Sequence, residues 1–175
     1  AVMTPIYQVS TFAFKGVKEP GPFDYSRSGN PTRKVLEDTL AALEGGTHGF
    51  AFGPGMAAET TVLNLLSAGD HLIVHDDLYG GTYRLLTTVI ARHGITAEFV
   101  NLRDPKALRA AIRPTTKPIW LESVTNPLIN ILDLAAIGAE AKDKGIVTIC
   151  DNTFLSPYYC KPLDLGIDVV VHSTT

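Results

Sequence analysis

The sequence predicts an α/β domain with a mainly parallel sheet covered by helices on both faces. Three observations lead there. HLIV (71–74), PIWLE (118–122) and IVTIC (146–150) are apolar runs of strand length, continuous rather than alternating, as in strands buried on both sides. Segments with helical apolar spacing separate them, the mark of βα alternation. The chain has 175 residues, 45% apolar and 19% charged, enough for one real core.

The elements follow in order. Residues 15–24, KGVKEPGPFD, are rich in Gly, Pro and charge and predict a loop, with an arm before it. Asn30 caps a helix that has Pro31 in its first turn, Leu36, Leu40 and Leu43 on one face, and Gly45-Gly46 as its stop. GFAF (49–52) predicts a short strand, and 56–68 a helix ended by Gly69-Asp70. After the 71–74 strand, residues 80–93 predict a helix with Gly94 as its C-terminal cap. AEFV (97–100) predicts a strand, and Asp104-Pro105 opens a helix to about 112. The 118–122 strand follows, then a helix from Asp133 to Lys144 with Gly145 behind it. Strands at 146–150 and 167–172 complete the pattern.

Composition excludes several classes. The net charge is −3 and the 15 basic residues are scattered, so no basic stripe points to nucleic acid or to an anionic membrane. No apolar run is long enough to span a bilayer, and no secretory segment is visible. The two cysteines, Cys150 and Cys160, form no pattern and fit a reducing, cytosolic setting, without a disulfide between them. His71 and His75 are four apart, but on a predicted strand and without the glutamate of a zinc-protease helix. GxSxG and GxGxxG are both absent. A nucleotide-binding domain, with Asp76 or Asp77 as its ribose acid, therefore lacks its glycine fingerprint.

In such sheets ligands sit beyond the carboxyl ends of the strands. That rule selects 53–56, 76–79, 122–126, 151–154 and 172–175. GPGM (53–56) combines close backbone approach with a helix N-terminus and so can seat a phosphate, although it also reads as a plain connection. Asp151 follows a buried strand, where a carboxylate needs a cation or strong hydrogen bonds; a protonated pyridinium nitrogen suits it, and so does a simple turn. Ser173 and Thr175 offer hydroxyls to phosphate oxygens or to a turn. Tyr79 can cover a flat cofactor or pack in the core. Arg27, in the polar Tyr25-Ser26-Arg27 loop, can clamp phosphate or serve no specific purpose.

Taken together, YSRSGNPTR (25–33), LEGG (43–46), the GPGM turn, GDHLIVHDDLYGGTYR (69–84), LESVTNP (121–127), DNTFLSPY (151–158) and PLDLGIDVVVHSTT (162–175) resemble the cystathionine synthase and lyase family of pyridoxal-phosphate (PLP) enzymes, in order and in spacing. The resemblance implies a sheet of the seven-stranded type, as in the large domain of aspartate-aminotransferase-like enzymes. Residues 1–29 would be an N-terminal arm and inter-subunit loop, and 30–175 the PLP-binding large domain, incomplete and without the family's C-terminal domain. Gly55 and Met56 match backbone donors to the PLP phosphate, and Ser173 and Thr175 its hydroxyl donors. Tyr25 and Arg27 match residues that reach the phosphate of a neighbouring subunit, in a homotetramer built from dimers that share active sites. Tyr79 matches the tyrosine stacked on the ring, often assigned acid/base work. Asp151 matches the partner of the pyridine nitrogen, and Asn126 a residue near the phenolic oxygen.

The implied activity is a C–S lyase acting on cystathionine, a small amino-acid substrate, in the cytoplasm. A γ-synthase or activated-homoserine sulfhydrylase is the alternative, and a non-catalytic binding module of the same fold is the reading from another class. Three departures stand out. Pro54 replaces a serine common in the family, and Gly81 stands where methionine γ-lyases carry cysteine. The family motif continues past Thr175 into the lysine that carries PLP, and the sequence stops at Thr175.

Overall fold

Five strands form one parallel sheet in the computed structural model, which describes residues 2–174. They are β1 His71–His75, β2 Thr96–Val100, β3 Thr116–Glu122, β4 Val147–Asp151 and β5 Val169–Val171, in the order β2-β1-β3-β4-β5. The chain goes outward from β1 to β2, then returns to the other side of β1 and continues outward through β5. The direction reverses between β1 and β3, and that crevice is where a sheet of this order binds ligands.

By backbone contacts the chain divides into two compact units, Ala1–Ala51 and Phe52–Thr175. The expected division, an arm and inter-subunit loop to residue 29 and a large domain from 30, falls within the first unit.

In the first unit, α1 (Pro31–Glu44) begins as its sequence dictates. Asn30 Oδ1 accepts the Thr32 N–H at 2.8 Å, Pro31 needs no hydrogen-bond partner there, and Gly45 ends the helix at φ 76°. The strand expected at 49–52 does not form. The Ala51 N–H donates to Glu37 Oε1 at 3.0 Å, not to a neighbouring strand. Gly49 lies so close to the α1 backbone that a Cβ would stand 2.2 Å from the Glu37 carbonyl oxygen. A four-residue run whose donor is taken by a side chain stays outside the ladder. The sheet of the described residues has five strands, and 49–52 adds no sixth.

The second unit has one core on each face of the sheet. On one face Ile73, Ile119, Leu121 and Cys150 pack with Leu108 of α4 (Pro105–Ala111) and with Leu134, Ile137 and Ala141 of α5 (Leu134–Asp143). On the other, Leu72, Val74, Trp120, Ile149 and Val171 pack with Leu63 of α2 (Gly55–Leu63) and with Leu85, Leu86 and Ile90. Adjacent residues of β1 thus serve opposite cores, which is why its centre, Leu72, Ile73 and Val74, is a continuous apolar run. Each such side chain contributes roughly 1.5–3 kcal/mol by leaving water.

The helices match the reading with two adjustments. α2 stops at Leu63, not 68, and the chain then turns, with Asp70 Oδ2 accepting the Ser67 N–H at 2.8 Å. The 80–93 helix changes its winding. It is α-helical over Gly80–Arg84 (α3), widens to a π-turn over Leu85–Val89 and tightens to 3-10 over Ile90–His93. Asp104 and Asp133 cap α4 and α5 through the N–H groups of Lys106 and Ala136. A short α6 (Ser156–Tyr159) lies between β4 and β5. Among the described residues no helix is long and apolar enough to cross a membrane. Neither cysteine is in a disulfide.

Candidate active site

A cavity of about 410 Å³ opens at the carboxyl edge of the sheet, within the size range of small-molecule sites. Its wall joins the strand ends to the start of α2: Gly55, Met56, Tyr79, Asn126, Asp151 and Ser173 all line it. These are six of the nine residues singled out from sequence. Thr175 lies outside the described residues. Tyr25 and Arg27 belong to the first unit, where the Arg27 guanidinium stands 5.0 Å from the Tyr25 ring centroid.

The α2 end is built to receive an anion. Pro54 makes no side-chain cap, and the first N–H groups of a helix have no intrahelical acceptor. Gly55 sits directly against the end of β5: a Cβ there would fall 2.9 Å from Ser173 Cβ and 3.0 Å from its Oγ. The Ser173 N–H donates to Thr153 Oγ1 at 2.8 Å, which ties the β5 end to the β4 end. A helix N-terminus and a serine hydroxyl therefore meet where only glycine fits. That donor set suits a phosphate, and it uses no cation: no Lys, Arg or His lines the cavity among the described residues.

Asp151 closes β4. Its Oδ1 accepts the Thr153 N–H at 2.8 Å, so the turn reading of this residue is correct for one oxygen. It still lines the cavity, so the turn and the ligand-facing roles coexist in one carboxylate. Tyr79, 42% exposed, stands at the start of α3 and forms part of the wall. Its ring is confined by position 81, where a Cβ would lie 2.4 Å from Tyr79 Cε1 and 3.0 Å from Met56 Sδ. Gly81 is thus the condition for the observed place of the ring.

Two acids in the wall carry no assignment from sequence. Glu122, at the end of β3, is buried; its Oε1 accepts the Tyr79 N–H at 2.6 Å and its Oε2 the Asn126 N–H at 3.0 Å. Glu59 of α2 is also buried and accepts the Thr82 hydroxyl at 2.7 Å. Burial pushes both carboxyls up to about 7, and the Asp151 charge adds to the effect in each. Glu122 lay among the strand-end positions worth inspecting. Glu59 gave only one signal, the single charged residue of its helix, at Met56 + 3. Among the described residues these acids form no cluster fit for a metal.

A phosphate seat without cations, an acid across the cavity and a flat aromatic wall suit a pyridoxal-type cofactor. The comparison that decides the matter is a match of the whole chain, residues 1–175, to the model of the Cys/Met metabolism PLP-dependent enzymes. The chain belongs to that family.

Its relatives within the family vary in chemistry. A protein of Herpetosiphon aurantiacus named "Probable cystathionine gamma-synthase" is 51% identical over 175 residues, all of this chain and 55% of that protein. Cystathionine beta-lyase MetC of Bacillus subtilis (strain 168) is 50% identical over 175 residues, all of this chain and 45% of that protein. The crystal structure of cystathionine gamma-lyase from Lactobacillus plantarum, complexed with L-serine, superposes with a TM-score of 0.95 at 51% identity, over 98% of this chain and 45% of that one. The chain spans about half the length of the curated relatives it matches. The family implies PLP, and the cavity residues fit it.

Proposed function

We propose that this chain forms the cofactor-binding face of a PLP-dependent C–S lyase that acts on cystathionine. One observation carries the reading: Asp151 lines the same cavity as the N–H seat at Gly55 and Met56 backed by Ser173. When bound, PLP supplies an electron sink for the bonds at a substrate α-carbon. The chain's own groups hold and orient it. Gly55 and Met56 N–H groups and the Ser173 hydroxyl, with Thr175, take the phosphate. Asp151 holds a proton on the ring nitrogen by charge. Tyr79 would cover the ring and supply an acid/base hydroxyl, and Asn126 would lie near the phenolic oxygen.

Tyr25 and Arg27 then complete the phosphate site of a neighbouring copy, in a tetramer of dimers in the cytoplasm, with no nucleic acid or membrane partner. The γ-replacement reading has one specific support, the 51% identical relative named as a synthase.

The test is to load the full-length protein with PLP and supply cystathionine and water. β-Elimination releases homocysteine, pyruvate and ammonia; γ-elimination releases cysteine, 2-oxobutanoate and ammonia. Either keto acid supports the lyase. Formation of cystathionine from cysteine and an activated homoserine, with neither keto acid, moves the reading to γ-replacement. No visible absorption from bound PLP overturns both.

A further inference from the structure

The segments after β1 and after β3 flank the crevice where the sheet order reverses, and two buried carboxylates join them in opposite directions. Asp77, on the β1 side, accepts the Thr125 hydroxyl and, at 2.9 Å, the Asn130 side-chain amide through Oδ2. Glu122, on the β3 side, accepts Tyr79 N–H and Asn126 N–H. Tyr79 and Asn126, with Val124, line the cavity from those segments.

We propose that Glu122 is a positioning residue of this site: its carboxylate fixes the Tyr79 wall relative to the Asn126 loop by accepting one backbone N–H from each on separate oxygens. The geometry requires a carboxylate. Both partners are donors, so both side-chain oxygens must accept. A glutamine of the same shape offers one oxygen and one NH₂, and the NH₂ would face an N–H. An aspartate has two oxygens but is one methylene too short to keep both contacts from the end of β3. Glu122 is 3% exposed, so water does not replace a lost acceptor. Asp77 supports the same arrangement from the other side, with Thr125 and Asn130 locking the loop that follows Asn126.

The inference rests on the PLP reading of the cavity only for its spectroscopic arm. The experiment compares wild type with Glu122→Gln in the full-length protein, first without PLP. Amide hydrogen exchange at Tyr79 or Asn126 is expected to speed up about tenfold or more, while ladder amides of β1 and β3 keep wild-type rates. With PLP bound, the visible absorption band of the variant is expected to shift and its PLP affinity to fall. Should Glu122→Gln fail to fold, Glu122→Asp decides by the same readouts. Wild-type exchange at both amides overturns the proposal, as does a speed-up shared equally by β1 and β3, which marks a general stabilising role. An unchanged band and affinity in a variant with faster exchange also overturns it. A wild-type protein that binds no PLP overturns the reading of the cavity itself and removes the site, whatever the exchange shows.

Discussion

The two ends of the sheet handle their ionisable groups in opposite ways. At the amino end His71, 1% exposed, lies with Nδ1 2.8 Å from Thr116 Oγ1 and Nε2 3.2 Å from Glu98 Oε2, and Arg113 pairs with the same glutamate. The one acid of that set has basic groups on both sides. At the carboxyl end Glu59, Glu122 and Asp151 gather around a cavity that no basic side chain lines among the described residues. An acid paired with a cation, as Glu98 is with Arg113, serves structure. An acid cluster without a cation pushes its buried members toward the protonated form, as at Glu59 and Glu122, and a protonated ring nitrogen beside Asp151 would suit it. The same sheet thus separates a structural end from a functional one.

The contrast can be broken at its strongest point by Asp151→Asn. This variant keeps the shape and the acceptor for Thr153 but removes the charge. Turnover of cystathionine by the PLP-loaded protein is expected to fall about a hundredfold or more, measured by keto-acid release. Retained turnover would remove Asp151 from the site.

The next effect is a pH dependence. Glu59 has a carboxyl raised from 4.5 to about 7, so between those values the folded state holds more protons than the unfolded one. Its contribution to stability is therefore best below pH 4.5 and declines as pH rises through 7. Glu59→Gln should flatten that decline by on the order of 3 kcal/mol, read from urea midpoints at pH 5 and pH 7.5.

A packing effect comes third. Gly81→Ala drives a methyl into the Tyr79 ring, and a loss of about 1–3 kcal/mol is expected, with weaker PLP binding, by thermal melting and by titration. An unchanged melting point and affinity would mean that the ring gives way freely.

The smallest effect belongs to the amino end. Burial, then the Arg113 charge, lowers the His71 pKa below 6.5, while Glu98 partly opposes them. Here the unfolded state binds more protons, so stability is lost as pH falls below 6.5, the reverse of the carboxyl end. His71→Gln should reduce that acid loss without touching PLP affinity, read from urea midpoints at pH 6.5 and 5.5.

Much of this was readable in the sequence because the deciding forces are local. Asn30, Asp104 and Asp133 cap their helices by bonds two or three residues away, and β1, β3 and β4 are apolar on both faces because both are covered. The strand-end rule then located Asp151, Tyr79 and Asn126. What escaped depends on distant partners. GFAF was lost as a strand to the Glu37 side chain fourteen residues earlier. Glu59 acquires its role from Thr82 and the Asp151 charge, neither of which neighbours it in sequence. The double use of Glu122 needs two separate loops to meet. The cofactor roles came from the resemblance, since Asp151 or GPGM alone reads equally well as a turn.

The widened turn over Leu85–Val89 has a consequence for how the chain tolerates changes of length. Buried residues lie on it and directly after it: Leu85, Leu86 and Ile90 are 8%, 1% and 2% exposed, while Val89 is 43% exposed. A π-turn holds one residue more than ordinary winding requires. Deleting one residue there would restore regular winding and leave both ends of the helix in place. The same deletion in β1 would exchange its two faces and dismantle both cores. Insertions and deletions among related chains should therefore collect at 85–89 and avoid 71–75, a tolerance set by geometry rather than by exposure.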